Sequence, residues 1–211
     1  MKVQIKVSER ASFVGTTGSG KTVLARHFLE RSGDRILAID PKHMLEIPNF
    51  KIGRKLPLIK KEFRTIYRPK SDDDEVMAEM VMECYKRGNI RIYVDELATL
   101  ARFFPQTTDT LENIARTGRE RNLSLWCATQ RPRWVPLSFF TESEVWFVFL
   151  LRDPRDRAQL AGVVGEEVRD KIPMYTFHYL RPGMESPQHM TLNLKVGKLE
   201  NYQNERVLEA G

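Results

Sequence analysis

The sequence is poor in cysteine, with two in 211 residues, and its histidines are few and scattered. Cys84 and Cys127 both lie in apolar segments, so we expect them to be reduced and buried, in a cytosolic protein. The four histidines are His27, His43, His178 and His189. Neither the spacing of these residues nor that of the cysteines is typical of zinc ligands. The sequence therefore predicts neither a disulfide framework nor a zinc site.

Long hydrophobic runs are missing as well. No apolar stretch approaches the roughly 20 residues that a membrane-spanning helix needs, so we expect no integral membrane segment. Residues 1–7 lack the apolar run of a secretory signal and predict a first strand instead. Charged residues make up 29% and hydrophobic residues 41% of the chain, which is typical of a soluble globular protein.

Basic residues outnumber acidic ones by 34 to 28, a formal net charge of +6. This excess alone is weak support for a polyanionic partner. It is concentrated between residues 51 and 70, where Glu62 is the only acid. The basic residues there are Lys51, Arg54, Lys55, Lys60, Lys61, Arg64, Arg68 and Lys70. Two interpretations stay open for this stretch: a solvated connection, or a contact with nucleic acid.

Apolar runs alternate with helical patterns along the chain, which predicts an α/β fold with a mostly parallel sheet flanked by helices. The predicted strands cover residues 11–14, 35–40, 63–67, 90–94, 123–128 and 145–151. The predicted helices cover 21–31, 71–85, 110–121 and 155–163. A C-terminal β-hairpin is predicted within 175–196, around the turn residues 181–183. We expect one domain over residues 1–211, with a core at about 11–165 and a C-terminal hairpin and tail at about 174–211.

A glycine-rich loop follows the first of these strands and matches the pattern G-x-x-x-x-G-K-[ST] at every fixed position. Its residues are Gly15, Thr16, Thr17, Gly18, Ser19, Gly20, Lys21 and Thr22. Such a loop turns its N–H groups toward phosphate oxygens, and the helix that follows adds its positive dipole end. We expect Lys21 to reach the β- and γ-phosphates of ATP and Thr22 to bind Mg²⁺. The fold is predicted to be that of a P-loop NTPase, RecA/ASCE-like.

Two further strands end in polar residues. The strand at 90–94 leads into Asp95 and Glu96. Asp95 is expected to hold the Mg²⁺ and its waters, and Glu96 to polarise the attacking water, a pairing that favours a hydrolase over a kinase. The strand at 123–128 leads into Thr129 and Gln130, and the Gln130 amide is placed to sense the γ-phosphate. The alternative for both strands is an ordinary exit to the surface.

Four stretches together resemble the FtsK/HerA superfamily of ring-forming, DNA-translocating ATPases. They are the phosphate loop, the segment Ile39-Asp40-Pro41-Lys42 followed by Leu45 and Glu46, Arg119, and the strand end Ala128-Thr129-Gln130-Arg131-Pro132. They lie within about residues 11–165. The resemblance is nearest to the small genome-packaging ATPases of membrane-containing icosahedral viruses, because a chain of this length is expected to carry no anchor, accessory or winged DNA-reading domain.

The resemblance implies an ATP-driven translocase of double-stranded DNA that works as a homo-oligomeric ring, a hexamer in this family. It further implies a place in the host cytoplasm or on the virion, and a capsid vertex or membrane-associated protein as partner. Arg119 corresponds to an arginine finger that reaches the γ-phosphate of a neighbouring subunit, with Arg116 and Arg121 as competitors. Arg157 resembles a second catalytic arginine. Either could instead be a solvated or salt-bridged surface residue. A glycine usual in the family is Asn122 here.

The rival functions are a conjugation or secretion ATPase that moves single-stranded DNA or protein, and a non-motor nucleotide kinase or switch. The expected DNA-contacting loops are Arg131 with Arg133 and Trp134, residues 102–108, and the basic stretch from Lys51. Trp134 could equally pack at a subunit contact.

Overall fold

Ten strands of the described part of the chain form one continuous sheet. The computed structural model describes residues 3, 5–6, 8–33, 35–55, 63–193 and 198–201. The strands are β1 Ala11–Val14, β2 Arg35–Ile39, β3 Lys51–Ile52, β4 Arg64–Tyr67, β5 Ile90–Asp95, β6 Ser124–Thr129, β7 Val145–Phe149, β8 Thr176–Leu180, β9 Gln188–Asn193 and β10 Lys198–Asn201. The helices are α1 Lys21–Arg31, α2 Asp74–Arg87, α3 Leu97–Phe103, α4 Pro105–Thr117, α5 Ser138–Thr141 and α6 Pro154–Val164. The expectation of an α/β fold with a mostly parallel sheet is confirmed.

The strand order across the sheet is β10-β9-β8-β7-β1-β6-β5-β2-β4-β3. Strands β1 to β7 run parallel, and β8, β9 and β10 continue the sheet in antiparallel pairs. The predicted C-terminal hairpin is therefore confirmed as β8 and β9. All seven parallel strands end at the same edge, where ligands of open α/β sheets bind. The phosphate loop follows the central strand β1 at that edge.

The parallel strands are buried on both faces because helices cover both. On one face α1 packs its Leu24 and Leu29 over Phe13 of β1. On the other face α2 and α4 cover residues such as Val14 and Leu37. Neighbours such as Phe13 and Val14 thus point to opposite layers, as the two-residue period of a strand requires.

Both cysteines are buried and free, as the sequence predicts. Burial raises the pKa of the Cys84 thiol to about 12 and that of the Cys127 thiol to about 11. A thiol whose pKa lies this far above neutral pH is protonated and therefore unreactive. Within the described residues, no helix has the length and apolar character to cross a membrane.

The region between β5 and β6 differs from the prediction. A helix was expected over 110–121, and residues 102–108 were expected to be a loop facing DNA. The latter is wrong, because α3 and α4 make residues 97–117 helical except for Phe104. Pro105 stands at the first position of α4, where the missing N–H costs nothing. The carboxylate of Asp74, on α2, accepts hydrogen bonds from the N–H groups of Gln106 and Thr107 and so caps α4 from another helix.

The basic stretch from Lys51 is used by the fold where it is described. The Arg54 guanidinium lies 2.6 Å from the Asp73 carboxylate, and that of Arg68 lies 3.1 Å from Asp40. Arg64 donates to the carbonyls of residues 30 and 32. These contacts favour the structural interpretation for the three arginines. Residues 56–62 lie outside the described residues, as do most of residues 1–7, for which a strand was expected; residues 3, 5 and 6 are in no strand.

Candidate active site

The start of the phosphate loop is fixed by backbone hydrogen bonds to the ends of the two strands that flank β1. The Gly15 N–H donates to the carbonyl of Thr129 at 3.1 Å, and the Thr16 N–H donates to that of Leu150 at 2.8 Å. A side chain at Gly15 would have its Cβ only 2.5 Å from that of Phe149. Gly18 and Gly20 have φ angles of 76° and 105°, which other residues rarely adopt. The glycines of the motif are therefore required by space and by backbone conformation.

Lys21 begins α1 with its side chain folded into the site, and only 6% of the residue is exposed. Burial lowers the pKa of its amine, although the carboxylates of Glu96 and Asp95 oppose that shift. Within the described chain, the hydroxyl of Ser19 is buried and has no hydrogen-bond partner. A buried amine and an unpaired buried hydroxyl at a helix amino terminus suit a bound phosphate chain. Its negative charge would pair with the Lys21 ammonium, and its oxygens would accept a hydrogen bond from the Ser19 hydroxyl.

A metal position is suggested where β1 and β5 end. The Thr22 hydroxyl donates to the Asp95 carboxylate at 3.3 Å, and the Tyr93 hydroxyl donates to the same oxygen at 2.7 Å. Burial raises the pKa of Asp95, although the hydrogen bond from Tyr93 and the charge of Lys21 oppose that shift. A hydroxyl and a carboxylate side by side are the hard oxygen ligands that Mg²⁺ prefers. The residues present therefore fit a Mg²⁺ ion held between Thr22 and Asp95.

Glu96 is the most constrained side chain of the site. It is 4% exposed and adopts a left-handed backbone conformation with φ of 73°. One carboxylate oxygen accepts from the Thr129 hydroxyl at 3.1 Å and from the Gln130 N–H at 3.0 Å. The other faces the Lys42 amine at 3.2 Å. Left-handed conformations of bulky residues are strained and gather at functional sites.

Gln130 follows β6 and reaches across to the phosphate loop. Its side-chain oxygen accepts a hydrogen bond of 2.6 Å from the hydroxyl of Thr17. Because β6 lies between β1 and β5, this contact links the phosphate loop to the strand end that also binds Glu96. The sheet thus brings together Lys21, Thr22, Asp95, Glu96 and Gln130, as the positions of their strand ends predict.

The sequence analysis did not predict a role in this site for three side chains: Lys42, Tyr93 and Thr129. Lys42 stands just after β2, which pairs with β5. A polar residue at the end of each parallel strand is the signal that could have found Lys42 and Thr129. This signal identifies residues of one site only when the strand order is known, because neighbouring parallel strands are not consecutive in the chain.

Arg119 lies at the other edge of the sheet. It belongs to a short 3₁₀ segment that precedes β6, whereas the phosphate loop follows the carboxyl end of β1. Its guanidinium is 72% exposed and lies 3.8 Å from the Glu144 carboxylate. Of the two competitors, Arg116 is paired with Glu112 one helical turn away, and Arg121 lies over the ring of Tyr85. Arg119 therefore faces away from its own chain's phosphate loop.

The Arg157 side chain is engaged by the backbone around it. It donates to the carbonyls of Leu151 at 2.7 Å, Arg152 at 3.0 Å and Arg169 at 2.7 Å. These bonds join the start of α6 to the segment that precedes it and to the turn that follows it. Its predicted catalytic role stays a prediction.

The strand order, the glycine-rich loop after the central strand and the carboxylates after β5 define a P-loop NTPase of the RecA/ASCE type. No protein-family model matches the chain. The chain is 27% identical over 171 residues to the DNA packaging ATPase P9 of Enterobacteria phage PRD1, covering 74% of this chain and 70% of that protein. It is 26% identical over 196 residues to Protein P9 of Pseudoalteromonas phage PM2, covering 86% and 89%.

Solved structures share the fold at lower identity. The genome packaging NTPase B204 of Sulfolobus turreted icosahedral virus 2, in complex with ATP-gammaS, superposes with a TM-score of 0.68 at 15% identity, over 88% of this chain and 98% of that chain. The cytoplasmic domain of the Type VII secretion ATPase EccC of Thermomonospora curvata gives a TM-score of 0.65 at 11% identity, over 90% and 24%. The predicted resemblance to small viral packaging ATPases is confirmed by these relatives.

Proposed function

We propose that the chain is an ATP-hydrolysing motor that drives double-stranded DNA into a viral capsid. The observation that carries the proposal is the set of nucleotide-site residues that the sheet brings together at one edge, in a chain similar along most of its length to a DNA packaging ATPase. A nucleotide kinase would need a second substrate site with a basic lid, whereas the carboxylate of Glu96 stands beside the phosphate loop, where water would attack.

The chain's own residues divide the work of hydrolysis. The N–H groups of the loop and the Lys21 amine hold the phosphates, and Thr22 with Asp95 would hold Mg²⁺, which neutralises developing phosphate charge when bound. Glu96 orients and deprotonates the attacking water. Its carboxylate is engaged by Lys42, Thr129 and Gln130, so its alignment depends on the strand end that also contacts the loop.

The position of Arg119 supports a ring in which neighbouring chains complete each other's sites. Strand β6 has six residues, so at about 3.3 Å per residue it separates its two ends by roughly 20 Å. Arg119 cannot reach the phosphates of its own chain over that distance. Its exposure on the opposite edge supports a role in the site of the next subunit. We propose a homo-oligomeric ring, a hexamer by family resemblance, with Arg119 as the finger.

The segment after Gln130 is the proposed DNA contact. Arg131 lies 3.4 Å from the buried Asp156 carboxylate and 5.7 Å from the ring of Trp134, which is 57% exposed. Arg133 is nearby, 3.9 Å from Asp156. A shift of Gln130 on hydrolysis would move this basic and aromatic segment directly. Contacts of this kind hold phosphates without reading sequence. The single-domain organisation, the host cytoplasm or virion as location, and a capsid vertex or membrane-associated partner complete the proposal.

The test is steady-state ATP hydrolysis by the purified chain without nucleic acid, with double-stranded DNA and with single-stranded DNA, beside Lys21→Ala. Stimulation by duplex DNA that is lost in Lys21→Ala is the expected result. Hydrolysis indifferent to both DNAs contradicts a DNA-stimulated motor that acts alone. Preference for single strands would favour the second candidate, a conjugation or secretion ATPase, whose fold is shared by the secretion ATPase named above.

A further inference from the structure

We propose that Tyr175, with Met174 beside it, forms a platform for the purine base of the nucleotide. The inference deepens the proposed function and rests on it, because it assumes that the phosphate loop binds ATP. Tyr175 immediately precedes β8 in the C-terminal hairpin. A Cβ built on Gly20 would lie 3.6 Å from Cδ1 of Tyr175, and one on Gly18 would lie 3.9 Å from Cε of Met174. Both side chains therefore lie next to the phosphate loop on the β7–β8 side.

Both side chains are open to solvent although they lie beside the phosphate loop. Tyr175 is 41% exposed and Met174 is 37% exposed. Their neighbours in the same region, Phe149, Phe177 and Leu192, are almost wholly buried. A fixed apolar surface that borders a ligand site and remains open toward it is a common feature of cofactor pockets.

The backbone of Tyr175 is held in a strained conformation. Among the described residues, six other than glycine have positive φ. Four are Asn or His, which tolerate this region: His43, Asn49, Asn89 and Asn122. The other two are Glu96 and Tyr175, with φ of 73° and 64°, and both border the phosphate loop. Strain of this kind persists where the surroundings impose it and is concentrated at binding and catalytic sites.

Contacts around Tyr175 impose that conformation. Its carbonyl accepts a 2.8 Å hydrogen bond from the Leu192 N–H, and both the N–H and the hydroxyl of Thr176 donate to the Pro173 carbonyl. Leu192 packs on the loop itself, since a Cβ on Gly20 would lie 2.9 Å from its Cδ2. The hairpin therefore packs against the loop and fixes the backbone of Tyr175 beside it.

The direction of the bound nucleotide selects the base as the ligand. The catalytic groups Asp95, Glu96 and Gln130 follow β5 and β6, on one side of β1. The γ-phosphate must face them, so the α-phosphate and the nucleoside extend toward the other side, where β7 and β8 lie. An aromatic ring and a polarisable thioether there suit the face of a purine.

The experiment compares two probes, the ATP analogue AMPPCP and inorganic tripolyphosphate, which lacks the nucleoside. Affinities are measured by calorimetry for the wild-type chain, Tyr175→Asn, Tyr175→Phe, Lys21→Ala and Phe103→Ala. Asparagine is chosen because it accepts positive φ, so that the backbone is kept while the ring is lost. Phe103→Ala is the control, because Phe103 is an even more exposed aromatic, 58% against 41% for Tyr175, and lies at the end of α3.

We expect Tyr175→Asn to weaken AMPPCP binding about 10-fold, the size of a lost base–aromatic stack, and to leave tripolyphosphate binding unchanged. Tyr175→Phe and Phe103→Ala should bind both probes like wild type, and Lys21→Ala should weaken both. The inference is overturned if Tyr175→Asn keeps wild-type affinity for AMPPCP, or loses affinity for both probes equally. If the wild-type chain binds neither probe, the proposed function fails, and the base platform with it.

Discussion

The two flanks of the phosphate loop differ in chemistry although they belong to one sheet. On the β5–β6 side the loop meets carboxylates, a lysine and an amide, whereas on the β7–β8 side it meets phenylalanines, a leucine, a methionine and a tyrosine. The polar flank consists of strand ends, where side chains can approach the reacting phosphate. The apolar flank consists of strand β7 and the hairpin that packs against the loop. Under the proposed function, the polar flank would perform the chemistry and the apolar flank would position the nucleotide.

The energetics of the two flanks follow from this division. On the polar flank, burial lowers the pKa of Lys21 and raises that of Asp95, which disfavours the charged form of each. Bound phosphates and Mg²⁺ would favour those charged forms. The apolar flank is held by packing, since Phe149 and Phe177 lie with ring centroids 4.9 Å apart beneath the loop. Substitutions on the polar flank should therefore change turnover, and those on the apolar flank should change nucleotide affinity and stability.

The largest expected effect tests whether the polar flank is complete within one chain. Arg119→Ala should lower DNA-stimulated kcat about 10³-fold, because a finger arginine stabilises the charge of the transition state. Arg116→Ala, on the same surface, should stay near wild type. Mixing Arg119→Ala with Lys21→Ala should restore part of the activity, because some sites then combine an intact loop with a neighbour's intact arginine. Failure of the mixture to recover would mean that Arg119 does not act across subunits.

A smaller effect is expected at the water-activating carboxylate. Glu96→Gln should lower kcat about 10²-fold or more, the usual contribution of a general base, while the affinity for AMPPCP remains within about twofold, because Lys21 and the loop are untouched. Glu75→Gln, an exposed carboxylate on α2, is the control for loss of one charge. If Glu96→Gln lost nucleotide affinity in parallel with kcat, Glu96 would be a binding residue.

The smallest effect concerns the stability of the apolar flank. His178 on β8 is 1% exposed, its ring nitrogens have no hydrogen-bond partner in the described chain, and burial together with nearby His189 lowers its pKa to about 4. The folded state therefore keeps this imidazole neutral. As pH falls from about 6.5 toward 4, the unfolded chain binds a proton at this residue and the folded chain does not, so the free energy of unfolding decreases. His178→Phe should remove this loss, on the order of 2 kcal/mol.

The measurement for His178→Phe is denaturant unfolding at pH 7.5 and pH 4.5. The fall in free energy of unfolding between the two pH values should be smaller in the variant than in the wild type. An equal fall in both proteins would show that, at pH 4.5, His178 is protonated in the folded state as it is in the unfolded state.

The sequence was sufficient for the loop, the main strands and the pairing of Asp95 with Thr22, because these follow from local motifs and from the rule that parallel strands end at one edge. It was not sufficient where the determinant is distant. The start of α4 depends on a cap by Asp74 from another helix. The contact of Lys42 with Glu96 depends on β2 lying next to β5. The sequence predicts Tyr175 only as a residue of the C-terminal hairpin, because its position beside Gly20 depends on how the hairpin packs against the loop.

The most direct test of the motor is movement along DNA. A third strand bound to one end of a linear duplex is displaced when a translocase reaches it, and its release can be followed by gel electrophoresis. We predict release by the wild-type chain with ATP and Mg²⁺, none with AMPPCP, and none by Glu96→Gln. Hydrolysis stimulated by duplex DNA without any release of the third strand would contradict the proposal that this chain by itself is a translocating motor.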